Sequence, residues 1–189
     1  MSGDYAGQLA RRAVELDEND PWAHMAAGYL ALVGRVTSEA VEHFQTALEL
    51  NPNFAAAHGY VGWAQVYDGQ SEEALGHFEQ AMRMSPRDPL NGFFYAGISS
   101  GHYLAGRYTE AVLFARQAVK LRPGILGGHR MLCASLAQAD QVEEAKAAMA
   151  TMRLLHPEVS AAWIKEFVPY TANSMRKFLE GLRKAGLPD

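Results

Sequence analysis

Seven histidines and a single cysteine are the residues of this 189-residue chain best suited to hold a metal or to do covalent chemistry. A zinc site needs several such side chains converging on one ion, signalled by HExxH on a helix or by closely spaced cysteine pairs. Neither pattern occurs. His24 and His58 are instead 34 residues apart, as are His43 and His77, so they read as echoes of one position in successive units. Equivalent positions on stacked helices are held about 8–10 Å apart, too far to share an ion. The histidines are therefore read as structural or surface groups. No G-x-S-x-G elbow, Walker loop or dinucleotide fingerprint is present, and the glycine-rich "GILGGH" (124–129) follows a proline and not a strand. No catalytic residue, metal ligand or cofactor is expected. The residues left to do chemistry are aromatic, and "PLNGFFYAG" (89–97) concentrates them. Successive helical positions point about 100° apart, so Phe93, Phe94 and Tyr95 cannot all face one core stripe. One ring is surplus to it.

Composition narrows the setting. A chain of this length buries enough surface to fold without disulfides or metals. The formal charge of −4 gives no footprint for nucleic acid. The longest apolar run, "MAAGYLALV" (25–33), is about half a membrane span, and "MSGDYAGQLARR" has no apolar h-region of a signal peptide. One cysteine fits a reducing compartment. A cytoplasmic setting with neither nucleic-acid nor membrane partners is expected.

The elements that position the rings come from a repeat. The prolines closing "LELNP", "MRMSP", "VKLRP" and "RLLHP" are Pro52, Pro86, Pro123 and Pro157, separated by 34, 37 and 34 residues. Ala40, Ala74, Ala111 and Ala145, each preceded by Glu, keep the same intervals. Such a period is the signature of a helical solenoid. Within the second unit, "FAAAHGYVGWAQVY" has helical apolar spacing and stops at "DGQ"; "SEEALGHFEQAMRM" restarts, with Ser71 expected as N-cap and acidic residues in the first turn. In the third unit Gly106 is the stop and Thr109 lies near the restart. Connections this short make the two helices antiparallel neighbours. Gly28, Gly62, Ser99 and Cys133 form a small-residue column in the first helix, and Ala47, Ala81 and Ala118 one in the second, with Met152 breaking it. Phe44, Phe78, Ala115 and Met149 supply partners of varied bulk. A buried, inert Cys133 follows.

These ladders resemble the tetratricopeptide repeat (TPR). The resemblance implies an all-α, right-handed superhelix of four helix pairs over residues 20–52, 54–86, 88–123 and 125–157. It departs from the family where His24, His58, Tyr95 and His129 stand for its early tryptophan. Residues 3–18 align with the second helices, with Ala6, Ala13 and Leu16 lying 34 before Ala40, Ala47 and Leu50. They form an orphan helix of an incomplete repeat, so that the chain is a fragment or another molecule covers that edge. Residues 158–189 are expected to be capping helices, with Met175, Phe178, Leu179 and Leu182 set against Arg176, Lys177, Arg183 and Lys184. The three extra residues of the third unit fall at "DPLN", where Asp88 and Pro89 suit N-cap and N1 and predict an early helix start. The wording of "ARRAVELDENDPWAH" and "LRKAGLPD" is similar to the TPR region of bacterial class III adenylate or guanylate cyclase-like proteins and winged-helix regulators.

In TPR arrays the first helices line a concave groove, and this places Trp22, Met25, Tyr29, Trp63, Tyr67, Phe93, Ser100, Tyr103, Arg130 and Gln138 on it. Phe93 is then the surplus ring, with Phe94 and Tyr95 packed between helices. Any one aromatic there has the ordinary alternative of packing on the adjacent repeat; the set as a whole argues for a partner surface. The family's carboxylate clamp is absent, since Met25, Gly59 and Ala96 stand at its basic places. The implied partner is an apolar or aromatic-bearing peptide or helix, with Arg130 as a single anionic contact, bound without catalysis. Self-association through the groove or the open N-terminal edge, and a regulatory role beside a cyclase-like domain, are the alternatives.

Overall fold

The computed structural model describes residues 2–188. Eleven helices are assigned among them: α1 (Ser2–Leu16), α2 (Pro21–Val33), α3 (Thr37–Leu50), α4 (Ala55–Asp68), α5 (Ser71–Met84), α6 (Asn91–Leu104), α7 (Tyr108–Leu121), α8 (Leu126–Gln138), α9 (Val142–Leu155), α10 (Ala161–Phe167) and α11 (Ala172–Lys184). The pairs α2–α3, α4–α5, α6–α7 and α8–α9 are the four expected hairpins, and α1 packs on α2 as the orphan helix.

Each hairpin turns through one left-handed residue. These are Arg35 (φ 65°), Gly69 (φ 86°), Gly106 (φ 81°) and Asp140 (φ 59°), again 34, 37 and 34 residues apart. Glycine takes this conformation freely, whereas a residue with a Cβ is strained by about 1–2 kcal/mol. Only two of the four turns use glycine; Arg35 and Asp140 carry the strain.

The alanine ladder is fully buried, at Ala40, Ala74, Ala111 and Ala145, and so are Phe44 and Phe78. The small-residue column exists because the helices of a pair nearly touch. A Cβ on Gly28 would stand 2.6 Å from the Phe44 ring, and one on Gly62 would stand 3.0 Å from Phe78. Ser99 fits the same column by donating its hydroxyl to the Ala111 carbonyl at 2.8 Å. Cys133 is buried there, and burial pushes its thiol pKa up to about 12, well away from a nucleophile's.

Two expected helix starts are displaced. Ser71 is the first helical residue of α5 and not its N-cap; Gln70 holds that place without a side-chain bond. The left-handed turn at Gly69 explains it, because it already directs the Gln70 N–H onto the Gln65 carbonyl at 2.8 Å. Likewise α6 begins at Asn91 and not at Pro89. Asp88 does accept a backbone N–H, that of Leu90 at 2.8 Å, but in a tight turn that precedes the helix. Asn91 fixes this turn by donating its amide to the carbonyls of Ser85 and Pro86.

The larger correction concerns the last helices. α11 is amphipathic as expected, with Phe178, Leu179 and Leu182 buried and Arg176, Lys177, Arg183 and Lys184 exposed. It buries that apolar face against α8 and α6, the first helices of the last two repeats. The C-terminal segment therefore lies on the inner face of the solenoid, where an open groove was expected.

Candidate functional site

The inner face has two halves. Over α6 and α8 it is covered by the chain itself. Tyr170, in the link between α10 and α11, hydrogen-bonds the buried Ser100 hydroxyl and stands edge-on to Tyr67 at 5.6 Å. Tyr103 is 1% exposed, donates its hydroxyl to the Lys177 carbonyl at 2.7 Å and meets Phe178. Burial raises the phenol pKa of Tyr67, Tyr103 and Tyr170 alike, so these hydroxyls stay protonated. Gln138 lies beside the Tyr103 hydroxyl. A Cβ on Gly181 would meet that hydroxyl at 2.4 Å and the Ala134 carbonyl at 3.0 Å, so a glycine lets α11 settle this deep.

Arg130, expected as an anionic contact, is also in this covered half. Its guanidinium lies 5.7 Å from the Trp163 ring, and its Nε is buried without a hydrogen-bond partner among the described residues. Burial lowers its pKa, with the Tyr67 and Tyr170 phenols opposing that shift. Ser100 and Tyr103 are thus buried, while Arg130 and Gln138 stay half-buried beside them. The physical reason is intramolecular: an amphipathic helix tethered to the array finds this apolar face at high effective concentration.

Over α2 and α4, with the start of α6, the inner face is open. Phe93 stacks on Trp63 at 4.7 Å between ring centroids, while Phe94 is buried against Phe78 and Tyr95 stacks on Phe114. Trp63 is 4% exposed, held between Phe93 and Tyr67, and its indole N–H is buried without a partner among the described residues. Trp22 is 66% exposed beside Phe54, and Tyr29 is 46% exposed, edge-on to Tyr60 at 5.6 Å. Met25 is buried at the base.

Two hollows occupy this half. One, of about 260 Å³, lies between the α2–α4–α6 rings and the residues that close it from the C-terminal segment, Glu166, Phe167 and Pro169. The other, of about 440 Å³, is shallower and runs past Trp22, Met25 and Ala56 to Asp88 and Leu90. Tyr29 and Tyr60 line both. No lysine, arginine or histidine lines either. Tyr60, Phe167 and Tyr170 were missed by sequence reasoning. Tyr60 sits one residue off the inherited column, beside the small Ala56 and Gly59, and an aromatic flanked by small residues was the available signal.

The histidines form contacts that repeat periodicity did not suggest. His24 Nδ1 lies 3.1 Å from His43 Nδ1, and His58 Nδ1 lies 3.3 Å from His77 Nδ1, so each pair closes within one hairpin. The His24 Nε2 faces the Glu18 carbonyl at 3.0 Å, which can only accept; neutral His24 therefore accepts at Nδ1 and His43 donates. Among the described residues no three His, Cys, Asp or Glu side chains converge as metal ligands.

No protein-family model matches the sequence, and no characterised protein matches it by sequence. Its fold does match solved structures. The chain is similar to YrrB, described as a TPR protein with an unusual peptide-binding site, at 23% identity and a TM-score of 0.62, over 95% of this chain and 92% of that one. It is similar to TTC0263, a thermophilic TPR protein of Thermus thermophilus, at 19% identity and a TM-score of 0.72, over 96% and 91%. It is also similar to PilW, a type IV pilus biogenesis factor, at 15% identity and a TM-score of 0.73, over 98% and 89%. The fold is an all-α TPR solenoid. Among the described residues, no helix is long and apolar enough to cross a membrane.

Proposed function

We propose that the chain is a non-catalytic protein-interaction module that receives an apolar or aromatic-bearing segment of a partner on the open half of its inner face. The observation that carries this reading is the contiguous ring surface of Trp22, Tyr29, Tyr60 and Phe93, part exposed and shaped into two adjoining hollows. Exposed apolar patches of this kind mark partner surfaces, and preformed rings bind with little loss of side-chain freedom. The peptide-binding site named for YrrB lends the same reading to the fold. Ser100 and Tyr103 drop out of the contact surface, because the C-terminal segment covers them, and Arg130 and Gln138 are half-buried beside it. A random peptide library selected on the whole chain should yield ligands of micromolar affinity that Trp22→Ala and Tyr29→Ala each weaken roughly ten-fold, about 1.4 kcal/mol. Selected ligands indifferent to both substitutions would overturn the assignment.

A second reading has its own support. On α1, Tyr5, Leu9 and Leu16 are 65%, 53% and 71% exposed and share one helical face. That stripe suits a second copy of the chain, and sedimentation of the Leu9→Lys variant against the parent, across a concentration series, tests it.

A further inference from the structure

The smaller hollow differs from a plain apolar groove in its charge. Rings of Tyr29, Tyr60, Trp63, Tyr67, Phe93 and Phe167 line it, and its one ionisable group besides the phenols is the Glu166 carboxylate. That carboxylate has no partner among the described residues. Arg35, beside it, donates to the backbone carbonyls of Lys165 and Glu166 instead. Aromatic faces carry negative potential, and the Glu166 carboxylate, exposed at the mouth, adds to it, against the opposing charges of Arg35 beside Glu166 and of Arg130 behind Tyr67. The adjoining hollow continues the pattern, with Asp88 at its far end and no basic residue. At about 260 Å³ the cavity falls below the usual range for a drug-sized ligand and suits one side chain.

We propose that this cavity takes the cationic head of a lysine or arginine side chain of the bound segment, with its aliphatic stem against Leu32, Val33 and Pro169. The inference rests on the groove reading above and adds the class of residue that the partner must carry. Continuity with the shallower hollow through Tyr29 and Tyr60 favours a side chain on a peptide over a free ammonium compound. Glu166 supplies the counter-charge, and the rings replace water around the head.

The test uses the whole chain and Nα-acetyl amides of lysine, arginine, norleucine and citrulline, followed through the indole N–H resonances of Trp22, Trp63 and Trp163. The lysine or arginine amide should shift the Trp63 signal saturably, and the neutral isosteres should bind roughly five-fold or more weakly. Glu166→Gln should weaken the cationic amides about three-fold and leave the norleucine amide unchanged. Equal binding of norleucine, or no saturable shift with either cationic amide, overturns the proposal. Tetramethylammonium binding without either amide overturns it in favour of a small-molecule site. A library-selected ligand that depends on Trp22 but carries no basic residue leaves the groove reading standing and removes this one.

Discussion

Side chain by side chain, the histidine pairs show what spacing hides. The 34-residue echo of His24 in His58 was plain in the sequence, and it pointed away from the true neighbour, 19 residues on across the hairpin. A repeat ladder reports equivalence and not contact. Burial lowers the pKa of His43, His58, His77 and His102; the partner histidine adds to this for His43 and His77, while Glu39 and Glu42 oppose it for His43. A histidine whose folded pKa lies below its unfolded value binds its proton more readily in the unfolded chain. Its stabilising contribution is therefore complete above the ordinary value near 6.5 and is lost as pH falls through the folded pKa. The melting temperature should accordingly fall as pH drops from 7 through 6.5 and below, and the His43→Gln/His77→Gln variant should show a shallower fall. Melting curves of both proteins over that range check it, and identical slopes would place the titration elsewhere.

Among the helices, legibility followed local physics. The hairpins and the glycine turns at Gly69 and Gly106 were readable because each depends on a short-range pattern that recurs along the chain, whereas the turns at Arg35 and Asp140 carry no such mark. The starts of α5 and α6 were misjudged, since both depend on where a backbone N–H is already spoken for by the preceding turn. Packing distances rank the glycines in a way that sequence does not. Gly76 lies on α5 with nothing within 4 Å of a built Cβ, whereas Gly97 on α6 faces the Phe78 ring at 2.3 Å. Gly76→Ala should stabilise by about 0.5–1 kcal/mol through the unfolded chain. Gly97→Ala should cost about 1–3 kcal/mol by forcing α6 off α5. Urea titrations of the two variants separate these signs, and a neutral Gly97→Ala would mean that the interface gives more readily than its spacing implies.

For the molecule as a whole, the TPR resemblance implied that the first helices line the inner face, but it could not give the state of the groove, because its occupant came from the same chain. "FVPY" (167–170) and the apolar face of α11 gave no sequence sign of where they would dock; only the folded array offers the surface. One end of the solenoid then holds the other. Arg35, in the first turn of the ladder, reaches residues 130 and 131 positions later, the Lys165 and Glu166 carbonyls, and Thr171 N–H reaches the Tyr67 carbonyl at 3.3 Å. This clasp gives a reason for a non-glycine residue at φ 65°. Arg35→Gly removes the guanidinium and at once relieves the backbone, so the two effects, each about 1 kcal/mol, should leave global stability nearly unchanged. Locally the balance differs. Amide exchange at 165–171 should quicken several-fold, because only the clasp is lost there, while α11 stays protected by Phe178 and Leu182. Peptide binding should respond as well, since Glu166, Phe167 and Pro169 wall the smaller hollow. Unaltered exchange at 165–171 in the Arg35→Gly protein would mean that Tyr170 and α11 alone hold the segment, and that the two ends of the array act independently.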